Sequence, residues 1–351
     1  MNILITGNLG YVGGVLTRYL REKYPQALLV GVDSGFFVDQ LTSVDAPPEL
    51  LLDRQLSCDI RDISLEQLQG FDAVVHLAAV SNDPIGKSFE QATESINLTG
   101  TLALAAKAKS AHVGRFVLAS SCSVYGAAAE ELVDESGILN PLTAYARSKV
   151  DSEQQLAQLA DDSFQVSCLR FGTACGYAPR TRLDLVVNDF VASSIANKEI
   201  YLLSSGNAWR PFIHVEDMAR AIDWALHRDG VAIEVVNIGS AAMTLRVNAL
   251  AELTATIISD AKVTYAQDAS PDNRSYQVDF SRYQRLAPDY QPQWDMPATI
   301  QDLVENFQKI GFSNGNFRTS LLIRLNSLRQ LIESGQLDEQ LRWSSPTVLS
   351  E

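Results

Sequence analysis

The sequence has little positive charge with which to hold a polyanion. Its 28 lysines and arginines face 42 aspartates and glutamates, a net charge of −14. Neither nucleic acid nor an anionic membrane is an expected partner, because both need a basic face. Cysteine is scarce too, with four residues (Cys58, Cys122, Cys168 and Cys175) and no CxxC pair. The chain opens on a strand pattern rather than a basic and then apolar leader, so a reduced, cytoplasmic protein is expected. The four histidines (His76, His112, His214 and His227) lack the short spacing and carboxylate company of a metal site, and no metal is expected. No apolar run is long enough to span a bilayer, and there is no internal repeat or low-complexity tract. What remains is a 351-residue chain, 46% hydrophobic, sufficient for one large or two modest domains with a real core.

Strand and helix patterns alternate through the first half. Asn2 to Thr6 reads as a strand, followed at once by Gly7-Asn8-Leu9-Gly10-Tyr11-Val12-Gly13-Gly14 and a helical pattern. In such a turn Gly7 permits the tight bend, Gly10 lets the backbone approach a pyrophosphate and Gly13 lets helix and strand pack closely, with the phosphates on the helix N-terminus. Tyr11 and Val12 belong to the same cofactor turn. A second strand ends in Asp33, where a carboxylate accepts from the adenosine ribose. It would repel a 2′-phosphate, and no Lys or Arg follows until Arg54. NAD is therefore expected rather than NADP. Asp59 and Ile60, after another short strand, suit an adenine edge and face. Leu77, Ala78 and Ala79 end a buried strand in small residues that allow a cofactor to pass, and His76 within that strand reads as a core histidine.

A helical pattern covers roughly 88 to 111, and a strand from 115 to 119 ends in Ser120-Ser121-Cys122-Ser123. Hydroxyls at that end of a parallel strand point into the ligand crevice. The next helix, from Pro141 or Leu142 to about Leu159, carries Tyr145 and Lys149. Four residues apart on a helix, they share one face, where the ammonium favours ionisation of the phenol. The alternation predicts a doubly wound parallel α/β sheet (Rossmann) with a smaller, discontinuous α/β lobe. The expected partition is 1–170 and 209–239 for the sheet, 171–208 and 240–310 for the lobe, and 311–351 as a helical extension. In the extension, Leu321, Leu322, Leu325, Leu328, Leu331 and Ile332 form an apolar stripe, read as a helix docked on its own domain with a partner-binding element as the alternative.

Taken together, Thr6-Gly7-x-x-Gly10-x-x-Gly13, Asp33, Cys58-Asp59-Ile60, His76 to Ala79, Asn97-x-x-Gly100-Thr101, Ser120 to Gly126, Tyr145-x-x-x-Lys149 and Arg210 to Asp217 resemble the extended short-chain dehydrogenase/reductases. Within these they resemble the NAD-dependent nucleotide-sugar epimerase/dehydratase family, and its UDP-glucose 4-epimerase-like members. The resemblance implies Tyr145 as acid/base, Lys149 on the nicotinamide ribose, Ser121 on the reacting sugar oxygen and Asn97 on the cofactor side. Ser123, Asn188, Arg180, Arg210 and Arg274 are the substrate-side candidates, the arginines because guanidinium matches diphosphate oxygens. It also implies a homodimer through the helices of 88–111 and Tyr145. Sugar 4,6-dehydratases of this family carry an Asp-Glu pair after the catalytic hydroxyl; here Cys122 and Ser123 stand instead. A C4 epimerase of a nucleotide sugar is therefore the first expectation. A 4-keto-sugar reductase is the second, and a non-catalytic dinucleotide sensor the remote third.

Overall fold

A computed structural model describes residues 1–127, 132–270 and 274–344. Seven strands, β1 (Asn2–Thr6), β2 (Leu28–Asp33), β3 (Arg54–Ser57), β4 (Ala73–His76), β5 (Arg115–Ser121), β6 (Gln165–Phe171) and β7 (Ile233–Ile238), form one sheet in the order β7-β6-β5-β4-β1-β2-β3. All six pairings are parallel. Strands such as β4 are buried throughout because helices cover both faces. Helix α1 (Tyr11–Lys23) covers one, where Leu16 and Leu20 join Ile3, Ile5 and Leu29. Helices α2 (Thr101–Ser110) and α3 (Ala144–Leu159) cover the other, where Leu104, Ala105 and Leu156 join Leu4, Val74 and Phe116. The strand order reverses between β1 and β4, which opens a crevice at their carboxyl ends.

Beyond β6 the chain leaves the sheet through Thr173–Cys175 and α4 (Val186–Asn197). It returns by Trp209–His214 and α5 (Val215–His227), adds β7, and leaves again through Thr244–Arg246, α6 (Val247–Ile257) and α7 (Met296–Lys309). The lobe is discontinuous and has its own core of Phe190, Val191, Phe212, Leu250, Ile300 and Phe307. The strand Trp209–His214, expected with the sheet, pairs instead with Thr173–Cys175 and Thr244–Arg246. The crossing point therefore falls at Val215, where α5 begins to bury Ala219, Ile222 and Trp224 against the sheet.

Two helix expectations are revised by local geometry. The single helix anticipated over 88–111 is broken: short turns at Asp83–Ser88 and Glu90–Glu94 meet at Phe89, whose φ of −132° and ψ of 57° interrupt the helix. The backbone then widens into a π turn over Ser95–Gly100 before α2. Helix α3 begins at Ala144, not Pro141, because the Thr143 side chain accepts from the Ala146 amide at 3.2 Å and caps it there.

The C-terminal segment docks on its own chain. Phe317, Leu322 and Ile323 pack into the lobe core, while Leu328 of α8 (Arg324–Glu333), Leu337 and Leu341 enter the core beneath α2.

Candidate active site

A cavity of about 520 Å³ lies along the carboxyl ends of the central strands. At one end are Asp33, Phe36, Phe37, Asp59 and Ile60; in the middle are Gly7, Gly10, Tyr11, Val12, Gly13, Leu77, Ala78 and Ala79. At the other end are Ser121, Ser123, Tyr145, Lys149, Arg210 and Arg274. These contributions are far apart in sequence and meet because every strand delivers its following loop to the same edge.

The glycine turn has the shape that a dinucleotide requires. A Cβ on Gly13 would lie 2.3 Å from the Gly7 carbonyl oxygen, and one on Gly7 would lie 2.6 Å from the Ala78 amide nitrogen. Gly7 also has a φ of +75°, which favours glycine. Helix α1 has no side-chain cap at Gly10 and no acidic residue in its first turn, so its leading amides are open to an anion. The Asp33 carboxylate accepts from the Leu9 amide at 3.1 Å and the Gly35 amide at 2.8 Å. Burial raises its pKa, against the pull of those two amides. Asp59 also lines the cavity, but its carboxylate is engaged by Arg61, through the backbone amide at 2.8 Å and Nε at 2.9 Å.

Tyr145 and Lys149 face the cavity from consecutive turns of α3, with Lys149 Nζ 5.6 Å from the tyrosine ring centroid. Burial pushes the Lys149 ammonium down to about 8, against the attraction of Glu153. Burial also pushes the Tyr145 phenol up to about 12. The strongest influence in the opposite direction is Arg182, followed by a hydrogen bond from Ser121. The cation that most favours the phenolate is therefore Arg182, two residues beyond Arg180 and not among the expected site residues. Arg182 lines the cavity, pairs with Asp184 at 2.8 Å and donates to the Ser81 hydroxyl at 2.9 Å.

Three expected site residues lie behind the cavity wall. Asn97, in the π turn, accepts from the Val80 amide at 2.8 Å and donates to the Val80 carbonyl at 2.9 Å and to Ser148 at 3.3 Å. It fixes the loop after β4 against the helix of Lys149. Asn188 accepts from the Gly176 amide at 3.0 Å and donates to the Arg182 carbonyl at 3.0 Å and the Tyr11 hydroxyl at 3.2 Å. With those groups engaged and no exposure, it positions Arg182 rather than reaching a sugar. Arg180 forms a fork to Glu49, at 2.7 and 3.1 Å, and donates to the Val38 carbonyl. It closes a loop instead of meeting a diphosphate. Arg210 and Arg274 remain at the cavity; Arg210 lies over the Tyr276 ring and Arg274 pairs with Asp83.

Residues 3–239 match the model of the NAD dependent epimerase/dehydratase family. The chain belongs to this family. Among its relatives is the low-salt glycan biosynthesis protein Agl12 of Haloferax volcanii, 24% identical over 316 residues, covering 88% of this chain and 98% of the relative. The dTDP-glucose 4,6-dehydratase of Streptomyces griseus is 28% identical over 293 residues, 81% of this chain and 87% of that one. Similar solved structures include MoeE5 with UDP-glucuronic acid and NAD, at a TM-score of 0.76 and 24% identity over 88% of this chain and 99% of that one. The UDP-glucose 4-epimerase of Thermotoga maritima with UDP-glucose has a TM-score of 0.75 at 22% identity, again over 88% and 99%. This member of the epimerase/dehydratase family is an NAD-dependent enzyme, and its glycine turn, open helix terminus and Asp33 fit that cofactor. His76 is the core histidine expected: its ring bonds Thr6 at 2.7 Å and Thr101 at 2.8 Å, and burial pushes it down to about 3.

Proposed function

We propose that this enzyme epimerises a nucleotide-activated sugar at C4. The observation that carries the reading is the pair of residues next to Ser121 in the chain. Cys122 is fully buried with its thiol donating to the Arg170 carbonyl at 3.1 Å, and burial raises its pKa. Ser123 offers only a hydroxyl, with no hydrogen-bond partner among the described residues. Water elimination needs an acid and a base beyond the tyrosine, and neither position supplies one. The nearby cavity carboxylates, Asp83 and Asp184, are held by Arg274 and Arg182. A reaction that moves one hydride and one proton fits these groups.

Bound NAD supplies the hydride acceptor and, after the sugar has turned, the donor. Tyr145 as phenolate takes the proton of the C4 hydroxyl while Ser121 hydrogen-bonds the same oxygen, and the C4 hydride departs to leave the 4-keto sugar. Return of hydride to the opposite face, with Tyr145 giving back the proton, yields the inverted alcohol and no net redox change. Arg210 and Arg274 are the candidates for the substrate diphosphate.

Incubating the enzyme with UDP- and dTDP-hexoses and following the product by NMR tests this reading. Inversion at C4 without net NADH supports it. A 4-keto-6-deoxy product, or stoichiometric consumption of NADH, overturns it. A pH profile tests the environment of Tyr145: a neighbouring cation lowers the phenol pKa, so Arg182→Gln raises it. The limb of kcat that rises as the phenolate forms should then move to higher pH; an unmoved limb assigns it to another group. The resemblance also supports a homodimer through the segment 88–111 and the helix of Tyr145, and sedimentation showing only monomer at micromolar concentration would count against it.

A further inference from the structure

We propose that Arg324 binds the diphosphate of the bound dinucleotide, so that the C-terminal segment, outside the residues matched to the family, completes the cofactor site. Arg324 begins α8 and lines the cavity together with the glycine turn. The residue is 7% exposed, yet Nε and Nη2 have no hydrogen-bond partner, and it makes no ion pair among the described residues. A buried guanidinium whose N–H groups lack an acceptor is strongly unfavourable; Asp184 and Asp33 act on this one only through space, so an anion in the cavity would satisfy it. The face of Phe37, 4.5 Å from the guanidinium carbon, fixes its orientation.

The surroundings identify the anion. Arg324 is within electrostatic reach of Asp184, of Asp33 and of Tyr11 in the glycine turn, and it lines the same cavity as that turn. The open amides of α1 and this guanidinium thus face one region, and the group that belongs on those amides is the dinucleotide diphosphate. A 2′-phosphate is the less suitable occupant because the Asp33 carboxylate stands at that ribose. Burial, with Arg182 nearby, pushes Arg324 down to about 9; an arriving diphosphate would reverse that.

The segment is anchored at the adenosine end. Arg61 donates to the Gln340 and Leu341 carbonyls at 3.1 and 3.3 Å, and Trp343 Nε1 donates to the Ser34 carbonyl at 2.6 Å. These contacts join the segment to the loops after β2 and β3, next to Asp33 at the end of β2 and to Asp59.

The test uses the full-length protein stripped of nucleotide, with Arg324→Met and Arg324→Lys, titrated calorimetrically with NAD, NADP and adenosine. Arg324→Met should weaken NAD about ten- to hundred-fold, the range for hydrogen bonds to a charged group. Adenosine, which has no phosphate, should bind as before, and Arg324→Lys should recover part of the loss because it keeps the charge without the fork. The thermal midpoint of the nucleotide-free protein should be unchanged or higher in Arg324→Met, while the rise on adding NAD shrinks. Unchanged NAD affinity overturns the proposal. Equal weakening of NAD and adenosine with a lowered midpoint assigns Arg324 to packing and overturns it too. A greater loss for NADP than for NAD moves the contact to the 2′-position and overturns the diphosphate assignment. None of these readouts depends on whether the enzyme is an epimerase.

Discussion

Tyr145→Phe should lower kcat by about 10²- to 10⁴-fold, the range that general acid–base groups contribute, with NAD still bound and the fold intact. The ring stays in place and only the hydroxyl is lost, so the change falls on proton transfer. The glycine turn, Asp33 and Lys149 remain. The loss should appear in single-turnover oxidation of the sugar as well as in steady-state turnover, because the phenolate is needed when the hydride leaves. NAD content after purification and the thermal midpoint are the controls. A loss below ten-fold would move the base elsewhere and overturn the role given to Tyr145.

Glu153→Ala should be the most destabilising single change near the site, by about 3–5 kcal/mol, the range for removing one partner of a buried ion pair. Natural domains have roughly 5–15 kcal/mol in all. Glu153 and Arg170 are 4% and 5% exposed as side chains and are joined at 2.7 Å. Glu153 also accepts from Ser120, and Arg170 donates to Tyr125 at 2.9 Å, which donates to Asn237 at 2.7 Å. The network binds α3 to β5, β6 and β7, one turn beyond Lys149. Without Glu153 the Arg170 guanidinium stays buried without its carboxylate. Chemical denaturation should show a lower midpoint, and Glu153→Leu with Arg170→Met should regain most of the loss, since apolar replacements of both partners are often neutral. A double variant no better than the single one would contradict this account. Glu153 also raises the Lys149 pKa, so Glu153→Ala should lower it further and leave less ammonium at neutral pH.

The sequence was most legible where function depends on local backbone chemistry. The turn of Gly7, Gly10 and Gly13, the carboxylate closing β2 and the four-residue spacing of Tyr145 and Lys149 each carry a short-range signature. The doubly wound sheet followed from the same alternation. The less legible residues depend on which way a side chain points from an irregular segment. Arg180 and Arg182 are two positions apart in one loop, with no periodicity to separate them, yet one closes a loop with Glu49 and the other lies at the phenol. Asn97 and Asn188 occupy expected positions, but their amides are used by backbone and side-chain neighbours that only the tertiary structure reveals. Arg324 was hidden because it lies within an apolar stripe, and the stripe reads as packing. It does pack, and in doing so carries the arginine into the cavity.

The path of that segment has a consequence for the order of biosynthesis. Gly7 and Asp33 leave the ribosome early, whereas Arg324, Leu328 and Leu341, which wall the same cavity, emerge only after the whole lobe has been made. A nascent chain can form the parallel sheet and its glycine turn while one side of the cavity is still missing. The cavity is thus assembled from both early and late translation products, and it is fully walled only on a chain whose synthesis has passed Leu341.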